Sequence, residues 1–422
     1  VAHLAYNLLL LLLLPFGLAA LGWRLLTRPE YREGIGERFG RVAPSPAGRR
    51  VVWLHAVSVG EVLSATPLVA AVRERYPDAH IVVSCGTPTG RAMARTRLKG
   101  ADRVVYLAYD YAPLVAAASR RLHPDLLVLV ESELWPNLLR TAARRGTPVL
   151  VVNGRISRRS FPRYLAARPL FRAALGGVRG FLMQTKRDAR YVRRMGAPAD
   201  RVEVAGNIKY DQPVVDYPPQ ELERLGRDLG IPPGAPVLLA GSTHAGEEEA
   251  LARAYQALAP DVPGLVLVLG VRHPNRAADV VAALGRMGIQ AGRKTLGDCK
   301  GKGVVLLDTI GELAAHYRLA AVAFVGGSLV PVGGHNPLEP AAAGIPVVYG
   351  PHVQNFAAPC ATLEAAGAAV RVADEAALVA ALRELLTDPE ARARMGAAGA
   401  AVVTENRGAV AHTVARIGEV LA

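Results

Sequence analysis

The residue types able to do chemistry fall in clusters, each where an apolar run gives way to a helical stretch. The first is His55-Ala-Val-Ser58-Val-Gly60-Glu61. Gly60 allows a tight strand-to-helix turn, and a helix amino terminus stabilises a carboxylate. Glu61 therefore reads either as a capping acid or as a general base. The base is the sharper reading, because no other acid stands at so tight a turn. The second cluster is Glu131-Ser132-Glu133-Leu-Trp135-Pro136-Asn137, after the apolar run DLLVLV. Its two carboxylates, one residue apart, point to the same side if the strand continues. One is expected to cap the helix that Pro136 opens. The other would bind an acceptor hydroxyl or tune Glu61 by like-charge proximity.

A second set lies in the other half of the chain. Gly241-Ser242-Thr243-His244-Ala-Gly246-Glu247-Glu248 offers backbone N–H groups and hydroxyls at a helix start, a phosphate-binding device without P-loop spacing. Arg272-His273-Pro274 adds a fixed cation, while Asn207 and Lys209 stand near a proline-rich hinge. Gly326-Gly327-Ser328-Leu329 and Gly333-Gly334-His335-Asn336-Pro337-Leu338-Glu339-Pro340 follow. Paired glycines allow close backbone approach to a ligand. A ribose held by Glu339 and a phosphate held by backbone amides account for this distribution. No GxGxxG opens the first half, which disfavours a dinucleotide redox enzyme. Without a DxD pair or a clustered His/Cys set, no metal or other cofactor is expected.

Positioning these groups requires strand ends. Short apolar runs predict strands at 51–56, 80–84, 103–107, 125–131, 147–152, 180–184 and 202–205, with helices between them. The stretch 211–236 carries Pro213, Pro218, Pro219, Pro232, Pro233 and Pro236 and reads as an interdomain linker. Strands then resume at 237–240, 265–270, 304–307, 321–325, 346–349 and 369–372. Continuous Val/Leu runs between helices are what a parallel sheet covered on both faces requires. The expected organisation is a membrane helix at 1–27, an α/β domain at 28–210, the linker, a second α/β domain at 237–405, and a last helix at 406–422. Ligands of open α/β sheets sit beyond the carboxyl ends of the strands, so a central cleft faced by both domains is the expected site.

The chain has 422 residues, 51% hydrophobic and 5% aromatic, with a formal charge of +14. That length and composition exclude a disordered tail protein, a disulfide scaffold and a collagen-like fibre. The charge is local. Residues 140–209 hold 17 basic side chains against Asp188, Asp200 and Glu203, so the rest of the chain sums to zero. No zinc-finger spacing, RNP-like strand or basic zipper accompanies the charge, and no nucleic-acid partner is expected. A face towards anionic lipid or phosphate is the better reading, against a plain solvated surface. Cys85, Cys299 and Cys360 are scattered and fit a reducing compartment. From Leu4 to Trp23 no residue is charged, and Arg24, Arg28 and Arg32 follow. Twenty helical residues just cross a bilayer core. The reading is an uncleaved anchor with the arginine side, and so the body, cytoplasmic; a buried core helix is its rival.

Taken together, HAVSVGE, ESELWPN, GSTHAGEE, RHP, FVGGSLVPVGGHNPLEPAAAGIPVVYGP and the apolar amino terminus closely resemble the bacterial 3-deoxy-D-manno-octulosonic acid (Kdo) transferases of lipopolysaccharide assembly. The resemblance runs from about residue 1 to residue 420. It implies a glycosyltransferase-B fold of two Rossmann-like domains, the first binding the acceptor and the second the nucleotide sugar. It implies inverting, metal-independent transfer of Kdo from CMP-Kdo to a lipid A precursor (lipid IVA) at the cytoplasmic face of the inner membrane. The family's catalytic glutamate falls on Glu61, and its essential first acid of the ExELWPN motif on Glu131. Donor-binding positions fall on Ser242, Thr243, Arg272, His273, Gly327, Ser328, Asn336 and Glu339, with Lys209 a cleft cation. The same-class rivals are a UDP-sugar transferase or an epimerase; the different-class rival is a catalytically silent anionic-lipid binder.

Overall fold

The computed structural model describes residues 1–211 and 217–422; residues 212–216, including Pro213 of the proline-rich stretch, lie outside the described residues. The chain forms two units. Val1–Asp211 and Asn406–Ala422 make the first, and Gln212–Glu405 the second.

In the first unit the apolar runs become β1 (Val51–His55), β2 (His80–Cys85), β3 (Arg103–Tyr106), β4 (Leu126–Val130), β5 (Val149–Gly154), β6 (Gly180–Met183) and β7 (Val202–Val204). They pair in parallel in the order β3-β2-β1-β4-β5-β6-β7. The runs carry no alternation because both sheet faces are covered: every residue of β1 and β4 is buried. A fully buried valine or leucine contributes about 1.5–3 kcal/mol, so each such strand is held by its own side chains as much as by its ladder. Between strands, Thr87 caps the helix Pro88–Arg97 by accepting from Gly90 N (3.0 Å), and Thr185 caps Lys186–Met195 by accepting from Asp188 N (3.1 Å). The order reverses between β1 and β4, the topological switch point at which such sheets place ligands.

The second unit repeats the plan with β8 (Val237–Thr243), β9 (Val266–Val271), β10 (Ala291–Arg293), β11 (Val304–Leu307), β12 (Val322–Val325), β13 (Val347–Tyr349) and β14 (Ala369–Arg371). Its order is β10-β11-β9-β8-β12-β13-β14, with the switch between β8 and β12. The three-residue edge strand β10, Ala-Gly-Arg, has no apolar run and was not expected from the sequence. Inside the proline-rich stretch, Pro219–Asp228 is a helix, and Leu229 after it is buried in the second unit's core.

Two terminal helices belong to the first unit. Ala409–Leu421 packs on the helix Val59–Arg75, buries Ile417 in the core, and is fixed where Gly408 N (2.6 Å) and Val410 N (2.7 Å) donate to the Asp211 carboxylate. Ala2–Thr27 is one helix, continuous through Pro15, and is long and apolar enough to cross a membrane. None of its residues is buried, which rules out the core helix. Leu12, Phe16 and Trp23 are about 70% exposed, at 71%, 73% and 69%. Its first turns, however, are bonded to the body. Tyr6 OH donates to Asp110 Oδ2 (2.9 Å), Asn7 and Asn137 exchange amide hydrogen bonds (3.0 and 3.2 Å), and Tyr111 OH donates to Leu10 O (3.0 Å). The stretch clear of those bonds, 11–23, is about 20 Å of helix against a hydrocarbon core of about 30 Å.

Candidate functional site

At the first unit's switch point, β1 ends in His55 and β4 in Val130. Glu61 sits in the first turn of Val59–Arg75, with its carboxylate turned back to accept from Val57 N. Burial, then the like charges of Glu133 and Glu131, lift its carboxyl to about 8, against the opposing backbone bond from Val57. Glu61 is a cap in geometry and an acid poised near neutrality in chemistry. Of the two sequence readings of this residue, the capping one is seen directly.

The strand does not continue through the second acidic pair. β4 stops at Val130, and Glu131 takes a left-handed backbone (φ 63°), a conformation costing a non-glycine residue about 1 kcal/mol or more. Ser132 Oγ donates to Arg155 O and holds that turn. Neither glutamate caps the Pro136–Arg145 helix, contrary to expectation. Asp110 does so from a distant loop, accepting from Asn137 N (3.0 Å) and Leu138 N (2.9 Å). Glu133 instead accepts from Trp135 Nε1 (2.7 Å) and lies 3.8 Å from His55 Nε2. The His55 ring is fixed from behind by Ser84, whose Oγ (2.9 Å) and carbonyl (3.0 Å) both face Nδ1. Lys209 joins the group from the segment after β7. Burial lowers its ammonium, while Glu131 and Glu61 favour its charge and Arg155 opposes it. Sequence reasoning overlooked Arg155 and gave Glu133 no fixed role; Asn153-Gly154-Arg155 stands at the carboxyl end of β5, the same positional signal that marked the other clusters.

In the second unit the ends of β8 and β12 meet closely. A Cβ on Gly326 would lie 2.5 Å from Ser242 O, so only glycine fits there. Ser242 itself is left-handed (φ 58°), and Arg272 N donates to Thr243 O (3.1 Å), joining the β8 and β9 loops. The Thr243 hydroxyl is buried without a hydrogen-bond partner. His244 stacks on His335 (5.1 Å between centroids), Nε2 to Nε2 at 2.9 Å, and His273 meets His244 edge-on. Burial, then His244 and Arg272, lower His335 to about 4, so the pair is neutral at pH 7.

The amides expected to hold phosphate are already used. Glu247, fully buried, accepts from Gly327 N (2.7 Å), Ser328 N (2.9 Å), Leu329 N (3.0 Å) and His244 N (3.0 Å). The Ser328 hydroxyl donates to Val325 O and accepts from Gly350 N (2.9 Å). Gly327 and Ser328 therefore scaffold the loop through their amides. Asn336 Nδ2 donates to Glu339 Oε1 (3.1 Å), and both stay partly exposed with Ser242, Arg272 and the exposed His273. Among the described residues no group of three His, Cys, Asp or Glu side chains is placed to hold a metal ion.

Comparison with known proteins gives the family and the fold. The family model described as 3-deoxy-D-manno-octulosonic-acid transferase (kdotransferase) matches residues 33–212, and that of group 1 glycosyl transferases matches 301–402. The 3-deoxy-D-manno-octulosonic acid transferase of Haemophilus influenzae is 34% identical over 412 residues, 96% of this chain and 95% of that one. Its Bordetella pertussis counterpart is 35% identical over 419 residues, 94% and 96% of the two chains. A solved glycosyltransferase from Rickettsia africae is similar in fold, with a TM-score of 0.57 at 12% identity over 89% of this chain and 99% of that one.

Proposed function

The chain belongs to the family of 3-deoxy-D-manno-octulosonic acid transferases, a glycosyltransferase with two parallel seven-stranded sheets, and on that premise we propose the inverting transfer of Kdo from CMP-Kdo to lipid IVA, a phosphorylated lipid A precursor, in lipopolysaccharide biosynthesis. The observation that carries this reading is Glu61: a carboxyl lifted to about 8 by burial and by Glu133, at the first unit's switch point. Its carboxylate takes the proton of an acceptor hydroxyl as that oxygen attacks the anomeric carbon of Kdo, on the face opposite CMP. Glu131 and Lys209 set the charge around Glu61 and orient the acceptor. Arg272 and His273, with the Ser242–Thr243 turn, hold the donor and meet the charge that grows on the departing phosphate; Asn336 and Glu339 are placed for its ribose. No metal enters the scheme. The apolar Ala2–Thr27 helix and the basic 140–209 region support attachment to the anionic inner membrane, body on the cytoplasmic side.

The test is transfer from CMP-Kdo to a tetraacylated, bisphosphorylated disaccharide in detergent with EDTA, read by mass spectrometry, which also counts the Kdo residues added. Glu61→Gln should lose about 10²–10⁴-fold in kcat with CMP binding retained. Wild-type kcat/KM should climb tenfold per pH unit below about 8 and level off above it, as the carboxyl ionises. Near-wild-type turnover in Glu61→Gln, or transfer from UDP-sugars instead, overturns the assignment.

A further inference from the structure

Beside Glu133 runs a groove of about 690 Å³ that the acid–base chemistry does not use. One wall is two turns of the amino-terminal helix, Ala2, Ala5, Tyr6 and Leu9, about 10 Å of its length. The opposite wall is the Ala166–Phe171 stretch, and Leu134, Trp135 and Pro136 close the end nearest the acids. Apart from Ser132, Glu133 and the Tyr hydroxyls, every lining side chain is apolar. A groove that ends at a general base's neighbour and is walled by an exposed apolar helix suits a hydrocarbon chain arriving from the same phase as that helix.

What the chain is attached to follows from the next feature along. Arg168 adjoins Pro169 of the groove wall and, with Lys186, Arg190, Arg193 and Arg194, lines a separate basic recess of about 580 Å³. None of these five cations has a carboxylate partner among the described residues, and all five are exposed. The two features keep a fixed relation. Phe161 stacks on Tyr191 of the recess helix (3.9 Å, 9°), and Tyr164 meets Phe171 edge-on in the groove wall (5.0 Å). An apolar slot and a pentad of unneutralised cations on adjoining faces match a molecule with an acyl chain and a phosphate on one rigid headgroup.

We propose that the groove between the amino-terminal helix and the Arg168–Leu175 helix is an acyl-chain subsite for the acceptor, with the basic recess taking the acceptor's phosphate. This rests on the acceptor being a phosphorylated glycolipid, as proposed above. The groove then measures acyl chains at the catalytic centre, and the amino-terminal helix is part of the binding site as well as an attachment.

Ala5→Trp and Ala166→Trp fill the groove from opposite walls, both at exposed positions. Each full-length variant is assayed in detergent with CMP-Kdo and two acceptors, the tetraacylated bisphosphorylated disaccharide and its fully deacylated counterpart. Thermal unfolding of each variant is compared with wild type. The expected result is that the ratio of kcat/KM for acylated over deacylated acceptor falls at least tenfold in both variants, through KM, with unfolding unchanged. A ratio unchanged from wild type, or equal losses on both acceptors, overturns the subsite. So does loss of binding to phosphatidylethanolamine–phosphatidylglycerol vesicles with the ratio intact, since the groove would then serve bulk lipid. A wild type that transfers to neither acceptor removes the proposed function, and the groove's occupant with it.

Discussion

Glu247 shows how one buried carboxylate can build a loop that glycines only permit. Four N–H groups converge on it, and a charged acceptor makes each bond stronger than a neutral one. Glu247→Gln keeps the shape but replaces one acceptor oxygen with a donor, leaving buried amides unpaired. It should cost about 2–4 kcal/mol by chemical denaturation and weaken CMP binding in parallel. Intact stability with normal CMP binding would show that the glycines alone hold the turn. The sequence placed Glu61 at a helix start and Glu131 at a strand end, because a strand's length and the turn after it are local properties. It assigned the Gly327–Ser328 amides to a ligand because the residue that occupies them lies 80 positions away. Asp110 was missed for the same reason: it caps a helix 27 positions distant.

At the scale of elements, all seven strands of the first sheet and six of the second were legible, since apolar runs between turn residues carry their own signal. β10 was not: its residues are Ala-Gly-Arg, and it pairs only because β11 offers an edge. The amino-terminal helix was legible as apolar, but its attachment was not, because hydropathy ignores what Tyr6 and Asn7 bond to. Those bonds tie its first turns to the unit that carries Glu61, so under the attachment proposed above its first residue stays on the Glu61 side. Cysteine substituted at Val1 should react with an impermeant maleimide in inside-out vesicles and stay unlabelled in spheroplasts. Cys85, Cys299 and Cys360 are buried and leave the background low. Labelling in spheroplasts would mean that the helix detaches and crosses.

For the molecule as a whole, the elevated Glu61 carboxyl has a thermodynamic cost. Its folded value of about 8 lies above the usual 4.5, so the folded state binds more protons than the unfolded state between those values. Stability from this group is fully present below pH 4.5 and is lost as pH rises towards 8. Glu61→Gln removes that dependence. The variant should therefore be more stable than wild type at pH 8.5, by on the order of 2 kcal/mol, and the difference should shrink towards pH 5. A constant difference across that range would show that Glu61 ionises normally.

The excess charge also resolves at this scale. All of the net +14 falls in residues 140–209 of the first unit, the unit that carries Glu61 and the apolar groove.

The chain's return to its first unit bears on how the protein is made. Residues 212–405 are threaded out and back before Ala409–Leu421 reaches the Val59–Arg75 helix whose first turn holds Glu61. On the ribosome the Glu61 unit begins before the second unit and finishes after it, while the second unit can close in between. Loss of the Ala409–Leu421 helix would thus strip the packing from behind the Glu61 helix and leave the second unit folded. The segment that backs the Glu61 helix is thus made long after the helix itself.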